Sequence, residues 1–313
     1  MYSRRYCLIS PCRDEVQYAR RCIDSVLAQS ELPALWVIVD DGSTDGTTEL
    51  LASFAQAYSW IRVVRREAAT RRLGGGVIEA FDAGLATVDL DEFDYVCKFD
   101  LDLDLPAGYF ARMMDETDDD PRLASVSGKP YYYLDADPTR RWERCGDENS
   151  VGMTKFYRVE AFRDIGGFAR ELMWDGIDCH TASSRGWRCR AINDPDAAFE
   201  HLRPMGSSDR GILRGRRRHG YGYGQYYMGS GPLFVVASAA FRLRDDPKAL
   251  GSINMVAGYL GAALKRVPRH GDAAFRKHLR TFQRESLVLG KDAATRRWER
   301  RTEPLWRSRE PVR

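Results

Sequence analysis

Asp100-Leu101-Asp102 follows directly on the apolar run Tyr95-Val96-Cys97-Lys98-Phe99. Residues i and i+2 of an extended segment point the same way, so a strand ending there sends both carboxylates off one edge of a sheet. Two converging carboxylates repel unless a positive group sits between them. A divalent cation with oxygen ligands, often one that also holds phosphates, meets that need. The same spacing also suits two solvated acids at the start of a loop. A second acidic strand end, Val37-Ile38-Val39-Asp40-Asp41-Gly42-Ser43, weighs toward the cation.

Such acids need elements that carry distant strand ends to one rim. Tyr6 to Ser10 reads as a short strand, and Val16, Ala19, Ile23, Val26 and Leu27 recur at helical spacing. Leu35 to Asp40 is an unbroken apolar strand, as expected when both faces are covered. Gly42 to Gly46 is a turn with capping residues, and Leu50, Leu51, Phe54 and Tyr58 line a helix. Ile61 to Val64 is a strand, and a helix marked by Val77, Phe81 and Leu85 follows Gly74-Gly75-Gly76. Tyr95 to Phe99 is strand, Pro106 onward helix, and Leu123 to Ser127 strand. This alternation predicts a mostly parallel sheet with right-handed crossovers, which binds ligands beyond the carboxyl ends of its strands. Residues 129 to 175 read as irregular and rich in aromatics, and the pattern turns helical after about residue 230.

The composition is that of a globular chain: 313 residues, 43% hydrophobic and 30% charged. A net charge of +3 does not call for nucleic acid. Its distribution says more: Arg210, Arg214, Arg216, Arg217 and Arg218 cluster, and the last stretch is rich in Arg and Lys. Such patches suit phosphates, an anionic membrane surface or simply solvent. The seven cysteines include no Cys-x-x-Cys pair, so neither a disulfide framework nor zinc is expected, and a reducing cytoplasm is. Pro232 to Phe241 and Ala249 to Leu264 fall short of the ~20 apolar residues that a membrane-spanning helix needs.

In order, the chain presents Pro11-Cys12-Arg13-Asp14-Glu15, Val39-Asp40-Asp41-Gly42-Ser43-Thr44-Asp45-Gly46-Thr47, Asp100-Leu101-Asp102 with Leu105-Pro106, Ile165-Gly166-Gly167-Phe168, Trp174-Asp175-Gly176-Ile177-Asp178, and His201. From about residue 5 to 205 this resembles the family 2 glycosyltransferases, which share the GT-A fold. His201 to Gly206 and the basic segment are similar to bacterial members that work on surface polysaccharides. The family often shows a Glu-Asp pair where this chain has Trp174-Asp175, so Asp175 and Asp178 both remain candidates for the base. A third strand-end acid, Asp104, competes for the metal pair, and Leu105-Pro106 sets the register at Asp100 and Asp102.

The resemblance implies an α/β GT-A (Rossmann-like) domain over 1–230, with a helical, basic extension over 231–313. It implies an inverting transfer of a sugar from a nucleoside-diphosphate sugar to a hydroxyl of a saccharide or lipid-linked acceptor. Mg2+ or Mn2+ would be held by Asp102, with Asp100 through water or on the ribose, and His201 as a third ligand. Pro11, Glu15, Asp41, Arg72, Gly75 and Asp100 would line the donor, and Trp174 and Gly167 the acceptor. Asp175 or Asp178 would take the acceptor proton, and the other would cap a helix. The basic, apolar-faced helices at the end suit either a peripheral contact with the inner face of a membrane or an ordinary cap on the core. Two other readings compete. A nucleotidyltransferase usually opens with a Gly-rich basic loop, which Pro11 to Glu15 lacks; a non-catalytic nucleotide or carbohydrate module would need no acid at Asp175 or Asp178.

Overall fold

The apolar run Tyr6–Cys12 forms β1, which is buried at every position because the sheet around it is covered on both faces. The computed structural model describes residues 4–67, 75–134, 137–203, 212–244 and 248–308. After β1 come α1 (Val16–Leu27), β2 (Leu35–Asp40), α2 (Thr47–Ala57), β3 (Ile61–Arg65) and α3 (Gly75–Leu85). Then follow β4 (Tyr95–Phe99), β5 (Leu103–Asp104), α4 (Tyr109–Asp119), β6 (Leu123–Ser127), β7 (Pro130–Leu134) and β8 (Asp137–Trp142). β9 (Thr154–Arg158), α5 (Val159–Ile165), α6 (Trp174–Ser184), β10 (Arg188–Ala191) and β11 (Phe199–His201) complete the sheets. The main sheet has seven strands in the order β10-β6-β9-β4-β1-β2-β3. Its pairs run parallel except those made by β9, which is antiparallel to β4 and β6.

The period of two along each strand divides the core into two layers. Tyr6, Leu8, Trp36 and Ile38 face α1, α2 and α4, while Cys7, Ile9, Val37 and Val39 face α3, α5 and α6. Helix α3 lies so close that a Cβ on Gly84 would come within 2.7 Å of Val39 and 2.8 Å of Ile9. The first strand runs two residues beyond the expected Ser10, so Pro11 belongs to β1, opposite Val39, and not to the loop after it.

The stretch expected to be irregular contains a hairpin, β7–β8, and part of a second sheet of order β5-β11-β7-β8. This sheet is the element that matters for the site. Its β11 pairs antiparallel with β5, setting His201 opposite Leu103.

The chain ends in α7 (Ile212–Met228), α8 (Pro232–Phe241), α9 (Lys248–Leu264), α10 (Ala273–Leu289) and α11 (Lys291–Arg307). Helices α7 and α9 touch backbone to backbone, since a Cβ on Gly222 would fall 1.8 Å from the Met255 carbonyl oxygen. Helix α11 docks on the main sheet's edge and on α6, and α10 packs on α6 through Phe275 and Leu279 against Ile177. Arg122 Nη2 donates to Glu299 O at 3.0 Å and Trp298 Nε1 donates to Ser183 O at 3.3 Å. No helix among the described residues is long and apolar enough to cross a membrane.

Candidate active site

β4 stops at Phe99 in the middle of the sheet, and the chain beyond it carries Asp100 and Asp102 past the strand's carboxyl end. Asp102 is buried, and its Oδ2 accepts a hydrogen bond from Arg203 Nη2 at 2.9 Å. The same oxygen lies 3.4 Å from His201 Nε2. His201 Nδ1 in turn meets Glu143 Oε1 at 2.7 Å. Arg203 Nη2 also donates to Glu15 Oε1 at 2.6 Å, and the guanidinium stands 5.4 Å from the Tyr18 ring centroid. Glu15, Arg203, Asp102, His201 and Glu143 thus form one continuous chain of opposite charges.

Burial alone would lower the His201 pKa, but hydrogen bonds to Asp102 and Glu143 outweigh it and hold the ring at about 9. Burial alone would raise Asp102, and the bonds from His201 and Arg203 keep it below the usual carboxylate value. Glu15 goes the other way: burial lifts it to about 7 despite Arg203.

Asp100 turns elsewhere. Lys98, 2% exposed in mid-strand, donates from Nζ to Asp100 Oδ1 at 2.5 Å and to Gly152 O at 2.9 Å. Directly opposite on β9 is a second buried lysine, Lys155. Its Nζ donates to Asp178 Oδ2 at 2.5 Å and to Asp175 O at 2.8 Å, and Tyr157 Oη donates to the same Asp178 oxygen at 2.6 Å. Burial alone would lower the Lys155 pKa, but Asp178 beside it holds the ammonium above its ordinary value.

This network surrounds two of the expected site residues. Asp178, expected as one of two candidate bases, has a fully buried side chain whose Oδ2 is engaged by Lys155 and Tyr157. Trp174 is buried too, with the Lys98 and Lys155 ammoniums 5.2 and 5.7 Å from its ring centroid and Phe168 at 5.0 Å, so its face is not open to stack on a sugar. Asp175, by contrast, is exposed in the first turn of α6. It abuts Gly152, where an added Cβ would lie 3.1 Å from Asp175 Oδ2. Gly152 therefore sits between Asp175 and the Lys98–Asp100 pair.

The remaining candidates are more dispersed. Asp40 braces the turn, accepting from Ser43 N at 2.8 Å and Thr48 Oγ1 at 2.6 Å. Asp41 stays at the strand end, its N donating to Cys12 O at 2.9 Å and its Oδ1 3.0 Å from Arg66 Nη1. Gly75 opens α3, while Arg71, Arg72 and Gly74 lie outside the described residues, as do Arg210 and the side chains of Arg214, Arg216, Arg217 and Arg218. Gly166 and Gly167 end α5 with φ of 79° and 77°, and Gly167 N donates to Phe162 O, a left-handed helix stop that glycine makes without strain. Gly167 also borders a cavity of about 790 Å³ with Thr181, Phe275 and His278, and Asp175 is not in its wall.

Among the described residues, no group of three or more His, Cys, Asp or Glu side chains is arranged around a metal position. Asp100, expected to reach the metal through water or to hold the ribose, is paired here with Lys98. Asp102 and His201 nevertheless fit as a pair. Their Oδ2 and Nε2 stand 3.4 Å apart, and Glu143 orients the other ring nitrogen as the partner of a metal-bound histidine does.

Lys98, Lys155, Glu143 and Arg203 were not expected at the site. A lysine in the middle of a buried strand was a legible signal for the first two, since such a charge demands a partner. Nothing local marks Glu143, whose role depends on a hairpin that the sequence pattern does not announce.

The pattern that describes glycosyl transferase family 2 matches residues 7–178. Among curated proteins, none matches by sequence. Among solved structures, the mannosyltransferase PcManGT from Pyrobaculum calidifontis, in complex with GDP-Man and Mn2+, is 19% identical with a TM-score of 0.51, over 98% of this chain and 89% of that one. TarS 1-349 from S. aureus is 15% identical with a TM-score of 0.50, over 99% and 93%. GalNAc-T7 with UDP, GalNAc and Mn2+ is 13% identical with a TM-score of 0.53, over 68% of this chain and 48% of that one. At such identities the likeness establishes a common fold.

Proposed function

The chain belongs to glycosyl transferase family 2 and has the GT-A fold, and from that premise we propose that it moves a sugar from a nucleoside diphosphate to an acceptor hydroxyl. The acceptor is a saccharide or a lipid-linked saccharide in bacterial polysaccharide or glycolipid synthesis. Asp100-Leu101-Asp102 serves as the DxD motif. The donor class agrees with the GDP-Man and UDP in the complexes of PcManGT and GalNAc-T7, and the Mn2+ there supports a divalent ion here.

Asp102 and His201 would hold Mg2+ or Mn2+, which when bound takes up charge on the departing diphosphate. Arg203 is the chain's own cation at that place, since its guanidinium already bridges two carboxylates and can turn to a phosphate oxygen. Asp41, at the end of β2, accepts from the nucleoside, and Pro11 and Glu15 shape the wall beside it. Asp175 takes the acceptor's proton, being the exposed acid of the pair. One base with no separate nucleophile gives a single displacement, and so inversion.

The observation that carries this reading is the gathering of Glu15, Asp102, His201 and Arg203, from three separate stretches, within hydrogen-bonding reach at one strand end. A thermal-shift series of nucleoside diphosphates with and without Mg2+ or Mn2+ tests it. One nucleotide should raise the melting temperature, and more so with metal. If no nucleoside diphosphate and no nucleotide sugar stabilises the protein with either ion, the reading is wrong.

A further inference from the structure

The last five helices leave an apolar surface that the fold does not use. Helix α8 buries Val235 and Ala239 against the core formed with Tyr226 of α7, while Leu233 and Val236 face outward, 68% and 55% exposed. Helix α9 buries Met255, Tyr259 and Ala262 in the same core. Its opposite side carries Leu250, Ile253, Leu260 and Leu264, at 57%, 62%, 54% and 85% exposure. Their spacing of three, seven and four residues keeps them on one helix face. Exposed leucines occur singly on any protein, but two neighbouring helices with continuous apolar outer faces mark a contact surface.

Charge says what the contact is. Residues 212–270 contain ten Lys and Arg against two Asp. Exposed Lys265 and Arg266 follow Leu264 at the end of the stripe. Between α8 and α10 runs a groove of about 530 Å³, with Leu233 and Phe234 on one wall and Arg276, Lys277, Arg280 and Arg284 on the other. A second copy presenting this face would meet its own positive charge, which opposes a symmetric pair. Neither helix can cross a bilayer. An apolar stripe beside a basic row instead matches a surface that is apolar inside and anionic at its rim.

We propose that the outer faces of α8 and α9 lie in the interface of an anionic membrane, with the α10 basic row against lipid phosphates. The inference names the surface at which the proposed transferase would meet a lipid-linked acceptor, but it requires neither donor nor catalytic acid. Its failure would therefore leave the transfer reading untouched.

Flotation of the full chain with phosphatidylcholine vesicles, with and without phosphatidylglycerol, tests it. The protein should float with the anionic vesicles and be released by salt. The I253E/L260E double variant should lose roughly tenfold or more in vesicle affinity, since two buried leucine-sized contacts are replaced by charge. L264E, at the last residue of α9 where the side chain is 85% exposed, should lose in the same direction. K277E/R284E should lose about fivefold per reversed charge on anionic vesicles. L32E alters an exposed leucine on the other half of the chain and should change nothing. Unchanged nucleoside-diphosphate binding by the variants would show that the fold is intact. Absence of wild-type flotation at low salt would overturn the proposal, as would equal flotation of I253E/L260E and L264E. Sedimentation showing a wild-type dimer that I253E/L260E dissociates would overturn it too, and assign the face to self-association.

Discussion

Asp175 and Asp178 stand three positions apart and illustrate how burial sorts equivalent residue types into different tasks. Asp175→Asn keeps the shape of an exposed side chain and should leave the melting temperature and donor affinity unchanged while lowering kcat by about 10²–10⁴. Asp178→Asn should do the reverse, leaving Lys155 as an uncompensated buried charge at a cost of about 3–5 kcal/mol. Chemical denaturation and single-turnover rates on the two variants separate the roles, and a stable, inactive Asp178→Asn would reverse the assignment. Arg203 carries a third expectation. Arg203→Ala leaves Glu15 and Asp102 facing each other and removes the cation proposed for the diphosphate. Calorimetry should register a loss of about thirtyfold or more in nucleoside-diphosphate affinity, and unchanged affinity would exclude Arg203 from the donor site. At this scale the sequence pattern shows acids at strand ends because strand ends are local features. It does not show which acid is already taken, because Lys155 and Tyr157 reach Asp178 from a strand over 20 residues away.

At the scale of elements, the parallel strands and their helices were legible from period and run length alone. The hairpin β7–β8 was not. Its second strand, Asp137-Pro138-Thr139-Arg140-Arg141-Trp142, has no apolar alternation, and β5 has only two residues. Yet these strands frame β11 and bring His201 to Asp102. The seam between α6 and α10 makes a separate prediction. His278 is buried with neither ring nitrogen hydrogen-bonded, 4.1 Å from the Trp298 ring, and packs near His180. Burial lowers His278 to about 3 and His180 to about 4. Groups whose folded pKa is depressed below about 6.5 contribute stability at neutral pH that is lost as pH falls through that window. The protein should therefore weaken progressively below about pH 6.5, and His278→Phe should reduce that acid sensitivity. Tryptophan fluorescence during denaturation at two pH values measures it; a variant as acid-sensitive as the parent would show that the seam is not responsible.

Across the whole molecule, the helical extension is tied into the sheet. Glu299 of α11 accepts from Arg122 and pairs with Arg188 at 3.4 Å, and Lys291 pairs with Glu148 at 2.7 Å. By packing, α7 goes with the helices after it, through Gly222 on Met255 and Tyr226 against Tyr259. We expect one cooperative thermal transition for the full chain, and a chain ending at residue 230 to melt well below it or to aggregate. Calorimetry showing two separated transitions, or a truncated chain with the parent's melting temperature, would contradict this.

The order of residues by itself determined the parallel α/β frame, the positions of the acids and the family, because apolar period, turns and short motifs are written within a few neighbouring positions. Only the tertiary structure decided the pairings: Lys98 with Asp100, Lys155 with Asp178, Arg203 between Glu15 and Asp102. Those choices depend on strand order and on which side chains burial deprives of water, and both are settled only when distant segments meet.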